Sequence, residues 1–264
     1  MKSKLTILKL GGSVITRKDK SLTPNIQVIK RLAEEISRAD FHPLIIIHGG
    51  GSYGHPVAKK YRIADGFKDG SQIFGFSETH EAMMRLNSLL IRNFLEYGLP
   101  AFSISPSSFI MTRKGRIGTL NEEILKTALE FGLIPVLYGD AVLDAEQGFA
   151  ILSGDQIAAV LAIKLDAERI IMGIDVNGVC DSDPKRNPSA RLIEEISLKD
   201  FERIMGQIGG SQSLDVTGGM LGKILELKAA VEYGVEALII NALLPDNVYR
   251  ALKGEDVVGT RIRR

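Results

Sequence analysis

The sequence predicts an α/β fold in which a mostly parallel central sheet carries helices on both faces. Short apolar runs rich in Ile, Leu and Val alternate with longer segments of helical period over nearly the whole chain. Such alternation is typical of parallel strands joined by crossover helices. The length of 264 residues allows one large domain or two small ones, and we find no linker between two separate cores.

The predicted strands are short apolar runs that end in glycine or polar turns. They are Leu5–Leu10, Leu44–Ile47, Ala101–Ser105, Leu133–Tyr138, Arg169–Ile174, Ala237–Asn241 and Val257–Ile262. A glycine-containing turn joins two further runs and predicts a hairpin, formed by Ala141–Asp144 and Phe149–Leu152.

The predicted helices carry apolar residues at the i, i+3, i+4 and i+7 spacing of one buried face. In Asn25–Ala39 these residues are Ile29, Leu32, Ala33 and Ile36. A long helix over Ser77–Tyr97 ends at a glycine and proline stop signal, whereas the polar segment Lys59–Gly75 has no helical period. The other predicted helices are Asn121–Phe131, Asp155–Leu165, Leu198–Met205, Met220–Tyr233 and Asp246–Leu252.

The composition argues against several classes of protein. The 33 basic and 32 acidic residues leave a formal net charge of +1, so no global positive field favours nucleic acid or an anionic membrane. The longest apolar run, Ile157–Ile163, is too short to span a membrane, and Met1–Leu10 lacks the apolar core of a signal peptide. With a single cysteine, Cys180, we expect a cytoplasmic protein without an internal disulfide.

Three glycine-rich turns lie at predicted strand ends or helix starts, where parallel sheets bind ligands. They are Gly11-Gly12-Ser13, the segment from Gly49 to Gly54, and Gly218-Gly219. Glycine lets backbone N–H groups approach an anion closely, so each turn is a candidate phosphate cradle.

Two segments partly resemble the dinucleotide-binding motif and the P-loop, but neither meets the full requirements of its motif. Gly49, Gly51 and Gly54 spell G-x-G-x-x-G, but Pro56 and the aperiodic segment that follows argue against the helix that a dinucleotide site requires. Gly218 to Lys223 imitates a P-loop, but only three residues separate its glycines, and Ile224 replaces the Ser or Thr that would bind magnesium.

Charged residues near these turns are candidate functional groups, each with a structural alternative. Lys9 lies in an apolar strand, where an unpaired charge is costly, unless its amine reaches water at a sheet edge. Lys18 could equally be a solvated loop charge. His55 adjoins a glycine turn and could donate to an oxyanion, although a lone histidine is more often structural.

Asp155 and Lys223 complete this set. Asp155 opens a predicted helix, so it could be an ordinary N-cap, or it could pair with two lysines at once. Lys223 follows Gly219 by one helical turn and can reach back toward the helix N-terminus. The remaining histidines, His42, His48 and His80, show no spacing typical of a zinc site.

Five ordered motifs resemble the amino-acid kinase superfamily over nearly the whole chain. They are Lys9 to Ser13, His48 to His55, Ser153 to Asp155, Asp175 to Val179, and Asp215 to Met220 with Lys223. The second motif, together with Thr16-Arg17-Lys18, resembles the archaeal-type isopentenyl phosphate kinases within it. Asn177 departs from the Asp that is frequent there, which a loop turn tolerates.

The resemblance implies a three-layer αβα sandwich with an open, mostly parallel central sheet, usually found as a homodimer. It implies one domain over 1–264, with an acceptor lobe over about 1–150 and a nucleotide lobe over about 151–264. The implied reaction moves the γ-phosphoryl group of ATP onto isopentenyl phosphate, a step of isoprene biosynthesis. Mg²⁺ would be held mainly by phosphate oxygens, with no metal ligand from the chain.

Matching positions assign residue roles by the same resemblance. The catalytic residues would be Lys9, Lys18, His55, Asp155 and Lys223, with Asp155 orienting the lysines. ATP would contact Lys9, Gly11, Gly12, Ser13, Gly51, Asp175, Gly178, Gly218 and Lys223. The acceptor phosphate would lie at Gly50, His55 and Gly139.

The tail of such an acceptor requires an apolar pocket. Residues at the start of the long helix, Phe76 and Met83 above all, are candidates for setting tail length, with core packing as the alternative for each. The rival functions are a fosfomycin-type phosphonate kinase, a uridylate-type or acylphosphate-forming kinase, and a nucleotide-binding regulator. The pair Lys9 and Lys223 argues against the regulator, because a sensor does not need to stabilise transition-state charge.

Overall fold

Strands and crossover helices alternate along the chain, as the sequence predicts. The structure is a computed structural model that describes residues 4–209 and 219–264. Its strands are β1 (Thr6–Leu10), β2 (Leu44–His48), β3 (Ala101–Ser103), β4 (Ile110–Arg113), β5 (Arg116–Leu120), β6 (Ile134–Tyr138), β7 (Asp140–Asp144), β8 (Gly148–Leu152), β9 (Arg169–Ile174), β10 (Glu195–Ser197), β11 (Glu236–Asn241) and β12 (Gly259–Arg263). Its helices are α1 (Gly12–Ile15), α2 (Ile26–Ala39), α3 (Gly51–Lys60), α4 (Ser71–Glu96), α5 (Glu123–Glu130), α6 (Gly154–Lys164), α7 (Phe201–Gly209), α8 (Met220–Tyr233) and α9 (Asn247–Lys253).

The central sheet is mostly parallel, and the predicted three-layer αβα sandwich is confirmed. Over the described ranges its strand order is β10-β12-β11-β9-β1-β2-β6-β3, and β11 with β12 is its antiparallel pair. A smaller sheet, β5-β4-β7-β8, contains the predicted hairpin as β7 and β8.

The side chains of β1 point alternately into two hydrophobic cores, one on each face of the sheet. Ile7 packs with α6 and α8 on one face of the sheet, and Leu8 packs with α2, α4 and α9 on the other. Successive residues of a strand point to opposite faces, so Lys9 shares the face of Ile7. The alternation therefore directs the strand lysine toward α6 and α8.

A helix begins inside the second glycine turn, although Pro56 argued against a helix at this position. Helix α3 includes Pro56, which cannot donate a hydrogen bond to the carbonyl of Ser52. That carbonyl instead accepts the N–H of Leu22 at 3.0 Å. An external donor thus replaces the bond that proline removes, and a pattern of apolar residues does not reveal this.

Helix α4 begins six residues earlier than predicted, at Ser71 instead of Ser77. Its first turns bury a polar residue, Gln72. The side-chain oxygen of Gln72 accepts the N–H of Lys68, and its side-chain nitrogen donates to three carbonyls of the preceding segment, those of Tyr61, Arg62 and Gly66. Gly75 lies against the Tyr61 ring, where a Cβ would come within 2.2 Å of Cγ. Glutamine and glycine therefore occupy buried positions that a search for apolar spacing does not recognise.

Strands β4 and β5 form a second hairpin that the sequence analysis missed. Both are short and rich in polar residues, so they lack a clear apolar signal. The Asp144 carboxylate orders their turn and the β7–β8 turn together, because it accepts the N–H groups of Lys114, Gly115, Glu146 and Gln147 at 2.8–3.1 Å. Within the described ranges, no helix is long and apolar enough to cross a membrane.

We expect Glu35 to be a major determinant of stability. Its buried carboxylate accepts the N–H groups of Asp246, Val248 and Tyr249 at the start of α9, at 3.0–3.3 Å, and pairs with Arg31. Glu35→Ala leaves these donors without their acceptor and should lower the free energy of unfolding by about 3 kcal/mol.

Urea denaturation of Glu35→Ala would measure this loss against Glu34→Ala, which removes an exposed carboxylate from the same helix. The control should change the free energy of unfolding by less than about 0.5 kcal/mol. Equal stability of the two variants would contradict the structural role of Glu35.

Candidate active site

The predicted site residues converge where four adjacent strands end. Strands β9, β1, β2 and β6 are neighbours in the sheet, so the segments that follow them share its carboxyl edge. These segments contain Asp175, the first glycine turn, the second glycine turn and Gly139, in that spatial order. Helix α6 starts at the same edge and contributes Asp155.

Asp155 joins two lysines from distant parts of the chain. Its Oδ1 lies 2.6 Å from Nζ of Lys9, and its Oδ2 accepts a hydrogen bond from Nζ of Lys223 at 2.9 Å. The Lys9 side chain is only 4% exposed, which excludes the sheet-edge alternative. Ser153 caps α6 by accepting the N–H of Gln156, so the side chain of Asp155 is not needed as the N-cap.

Lys9, Asp155 and Lys223 form a trio in which burial and the opposite charge of a neighbour shift the pKa in opposite directions. Burial alone would raise the pKa of Asp155, but the charges of Lys9 and Lys223 lower it to about 2. Burial lowers the pKa of Lys9 and the charge of Lys223 lowers it further, whereas Asp155 counteracts both effects. Asp155 is therefore ionised and counteracts the effect of burial on the pKa of Lys9.

The two glycine turns of this edge touch each other backbone to backbone. A Cβ on Gly12 would come within 2.2 Å of the Gly51 nitrogen, and one on Gly49 within 2.8 Å of the Gly12 nitrogen. Gly51 has φ +49°, a conformation that favours glycine. The Thr16 hydroxyl joins the turns, since it donates to the Gly12 carbonyl and accepts the Ser52 N–H. These glycines are thus required by packing as well as by any bound anion.

Some amide groups of the turns remain available for a ligand. The N–H of Gly11 donates to Gly173 at 2.8 Å, and that of Gly49 donates to Leu10 at 3.0 Å. By contrast, within 4–209 and 219–264 no backbone carbonyl accepts the N–H groups of Gly12, Ser13 and Gly50. Donors of this kind at a sheet edge can hold phosphate oxygens.

His55 lies on α3, close enough to Lys9, Asp155 and Lys223 for their charges to shift its pKa. His55 is exposed, so water is only partly removed from its ring. This partial burial is the largest cause that lowers its pKa, and the charges of Lys223 and Lys9 lower it further. Met83 of α4 is buried beneath the same segment, because its sulfur would contact a Cβ placed on Gly50 or Gly54. Met83 is therefore a core residue that supports the turn.

A second carboxylate holds a second pair of lysines. Asp175 follows β9, and its Oδ2 accepts hydrogen bonds from Lys18 at 3.1 Å and Lys185 at 2.5 Å. The two lysines lower the pKa of Asp175 to about 2, although burial acts in the opposite direction. Lys18 is exposed, as the loop interpretation expects, but it pairs with a carboxylate 157 residues away.

The other predicted glycines have different surroundings. Gly178 is buried and adopts φ +146°, and a Cβ there would approach Thr260 Oγ1 to 2.6 Å. Gly139 donates its N–H to His48 and faces the backbone that precedes α6. Gly218 lies outside the described residues.

Beside Asp175 an open cleft of about 320 Å³ is lined by Val176, Asn177, Cys180, Pro184, Pro188, Ala190 and Leu192.

An aromatic cluster and a histidine–aspartate hydrogen bond line the other side of the edge. The half-buried Phe76 ring stacks on Phe149 with a centroid distance of 4.6 Å, and Phe67 contacts Phe149 edge-on. One turn after Phe76, the His80 ring contacts the buried Asp140 carboxylate, with Nδ1 2.8 Å from Oδ2.

The sequence analysis assigned no role to Lys185 or Asp140. Lys185 lies in a polar loop and has no spacing relation to Asp175 that a motif could use. Asp140 directly follows the predicted Gly139, so its place beside the acceptor side could have been noticed from the chain alone.

The charged groups described at this site are mainly lysines paired with carboxylates. Among the described residues there is no group of three or more His, Cys, Asp or Glu side chains that could hold a metal ion. Lysines occupy both oxygens of Asp155 and Oδ2 of Asp175. This donor set fits a magnesium ion that arrives on the phosphate oxygens of a nucleotide.

Comparison with known proteins identifies the family of the chain. The model of the amino acid kinase family matches residues 4–241. The isopentenyl phosphate kinases of Methanothermobacter thermautotrophicus and Methanocaldococcus jannaschii are 45% and 38% identical to the chain, each over 98% of both proteins. A crystal structure of an isopentenyl phosphate kinase superposes with a TM-score of 0.86 at 42% identity, covering 98% of this chain and 99% of that one. The chain therefore belongs to the amino acid kinase family.

Proposed function

We propose that the protein transfers the γ-phosphoryl group of ATP to isopentenyl phosphate, giving isopentenyl diphosphate and ADP. The trio of Lys9, Asp155 and Lys223 carries this proposal, because it places two ammonium groups beside the contact between two glycine turns. The names of the relatives identify the acceptor, since two isopentenyl phosphate kinases each match 98% of the chain.

The site supplies what phosphoryl transfer requires. An oxygen of the acceptor phosphate forms a bond to the γ-phosphorus while the bond from that phosphorus to the β,γ-bridging oxygen breaks, and ADP leaves. The acceptor is already anionic, with a charge near −2 at neutral pH, so no general base is required. Catalysis then consists of in-line positioning and charge stabilisation, which Lys9, Lys18 and Lys223 would provide.

We assign the donor to the side of the edge where β9 ends. The N–H groups of Gly12 and Ser13 would hold the phosphates, and Gly11 and Gly51 would shape the turns around them. The cleft beside Asp175, flanked by the buried Gly178, offers partly apolar walls for the base. In this assignment the base of the nucleotide would lie on residues after about 150, while its phosphates would also contact the glycine turns of the first 150 residues; the division into two lobes stays a prediction.

We assign the acceptor to the side where β2 and β6 end. The N–H of Gly50 and the ring of His55 would bind its phosphate, next to Gly139. The Phe76 and Phe149 rings would bound its tail. Mg²⁺ bound to the nucleotide phosphates would neutralise charge on the transferred group. The homodimer remains a prediction from the resemblance, and the cytoplasmic location remains a prediction from the composition.

Coupled measurement of ADP release with several acceptors tests the function. We expect turnover with isopentenyl phosphate and dimethylallyl phosphate, and little with fosfomycin, UMP or glutamate. His55→Ala should raise KM for isopentenyl phosphate about tenfold or more, because an anion loses a hydrogen-bond donor. Activity confined to UMP or glutamate would contradict the proposal, and an unchanged His55→Ala variant would contradict the assigned acceptor side.

We expect Phe76 to limit the length of the acceptor tail. Phe76→Ala removes the ring that stacks on Phe149 and should raise kcat/KM for ten-carbon and fifteen-carbon prenyl phosphates relative to isopentenyl phosphate. Phe74→Ala, which removes a mostly exposed ring from the same turn, serves as the control. An unchanged chain-length preference in Phe76→Ala would refute this assignment.

We expect Asp155→Asn to change both the rate and its pH dependence. Loss of the carboxylate removes the interaction that raises the pKa of Lys9, so this pKa should fall further. At pH 7.5 kcat should drop about 10²- to 10³-fold, because a charge beside the transition state is lost. Lower pH restores the proton on Lys9, so the relative activity of the variant should rise from pH 8 to pH 6.

A pH–rate profile of the wild type, Asp155→Asn and Glu123→Gln would check this expectation. Glu123 also pairs with a lysine, Lys126, but on the exposed surface of α5, and its substitution should leave the profile unchanged. A parallel decline of Asp155→Asn and the wild type toward acid pH would show that Lys9 protonation is not limiting.

A further inference from the structure

Two carboxylates at the carboxyl edge each bind two lysines, but in different ways. Asp155 binds one lysine with each oxygen, and its side chain is 13% exposed. Asp175 binds both of its lysines through the same oxygen, Oδ2. The Lys18 and Lys185 side chains are 63% and 50% exposed. The first cluster is therefore fixed by burial, whereas the lysines of the second can exchange partners with little rearrangement.

The second cluster brings together groups from two loops at the donor side. Lys18 comes from the loop after α1, and Asp175 and Lys185 come from the loop after β9. The Asp183 carboxylate accepts the backbone N–H of Lys185 at 2.9 Å, and its charge also acts on Lys185. These interactions keep Lys185 beside Asp175 independently of Lys18.

We propose that Lys185 is a positioning residue that neutralises Asp175 when Lys18 moves from Asp175 to the phosphates of the bound nucleotide. The inference rests on the proposed function, since it takes Lys18 as a phosphate-binding group. It adds a residue and a role that the kinase motifs do not include. Lys185 acts through Asp175 and Lys18, not by contact with the reacting atoms.

Electrostatics explains why such a residue is needed. A polyphosphate and the Asp175 carboxylate compete for the Lys18 ammonium group, and they repel each other. With Lys185 on the shared oxygen, Asp175 keeps a counter-charge after Lys18 leaves. Without Lys185, the carboxylate either retains Lys18 or, once Lys18 has moved to the phosphates, exposes the nucleotide to an uncompensated negative charge. Partly exposed charges interact modestly, so we expect an effect of about three- to tenfold on nucleotide affinity.

A double-mutant cycle tests the inference on the full chain. The proteins are the wild type, Lys185→Met, Asp175→Asn and the double variant, with the Kd of Mg·ATP measured by calorimetry without acceptor. Lys185→Met should weaken binding three- to tenfold in the wild type. In the Asp175→Asn background it should weaken binding less than twofold, because the charge that Lys185 neutralises is gone.

Further variants separate positioning from other roles. Lys185→Arg should restore most of the affinity, and Lys185→Met should have less than a twofold effect in a Lys18→Met background. Lys164→Met removes an exposed lysine from the far end of α6 and should leave Kd unchanged. Equal losses from Lys185→Met in all backgrounds would overturn the inference and indicate direct contact with nucleotide, and so would the absence of any loss.

The same proteins distinguish this inference from the proposed function. Turnover of isopentenyl phosphate without coupling between Lys185 and Asp175 would refute the inference alone. Coupling in Mg·ATP binding without turnover of isopentenyl phosphate would support the inference and refute the proposed acceptor. With the acceptor present, Lys185→Met should raise KM for ATP more than it raises KM for isopentenyl phosphate.

Discussion

The carboxylate of Asp155 is the constraint on which the rest of the site depends. Lys9 extends from a strand that is buried on both faces, where an ammonium group without a partner would not remain charged. Asp155 compensates that charge and at the same time orients Lys223 from α8. The trio therefore fixes the relative positions of β1, α6 and α8, and the core on that face of the sheet packs around the same three elements.

The contact between the glycine turns imposes a second constraint, on the backbone. The turn after β1 and the turn after β2 approach so closely that a methyl group at Gly12 or Gly49 would clash with the main chain. Parallel pairing of β1 with β2 places the two turns side by side, and Thr16 bonds both. The order of the strands and the positions of the glycines thus together determine how closely the two turns approach each other.

The sequence predicted the sheet well because its strands are buried and nearly continuous in apolar residues. It also offered Asp155 as a carboxylate that could pair with two lysines, with an ordinary N-cap as the alternative, and Asp155 does pair with Lys9 and Lys223. Helix α3, the first turns of α4 and the β4–β5 hairpin were missed because polar, glycine and proline residues form them through specific hydrogen bonds. Lys185 was missed for a related reason, since its pairing with Asp175 depends on how a long loop returns to the sheet.

The backbone contact between the turns also bears on how such a protein can diversify. The first turn belongs to the proposed donor side, and the second contributes Gly50 and His55 to the proposed acceptor side, so main-chain packing sets the separation of the two reactants. The residues proposed to surround the acceptor tail lie elsewhere, on α4 and β8. Substitutions there can change which molecule is accepted while the spacing between donor and acceptor stays the same. Substrate choice and reaction geometry can therefore evolve, or be engineered, separately.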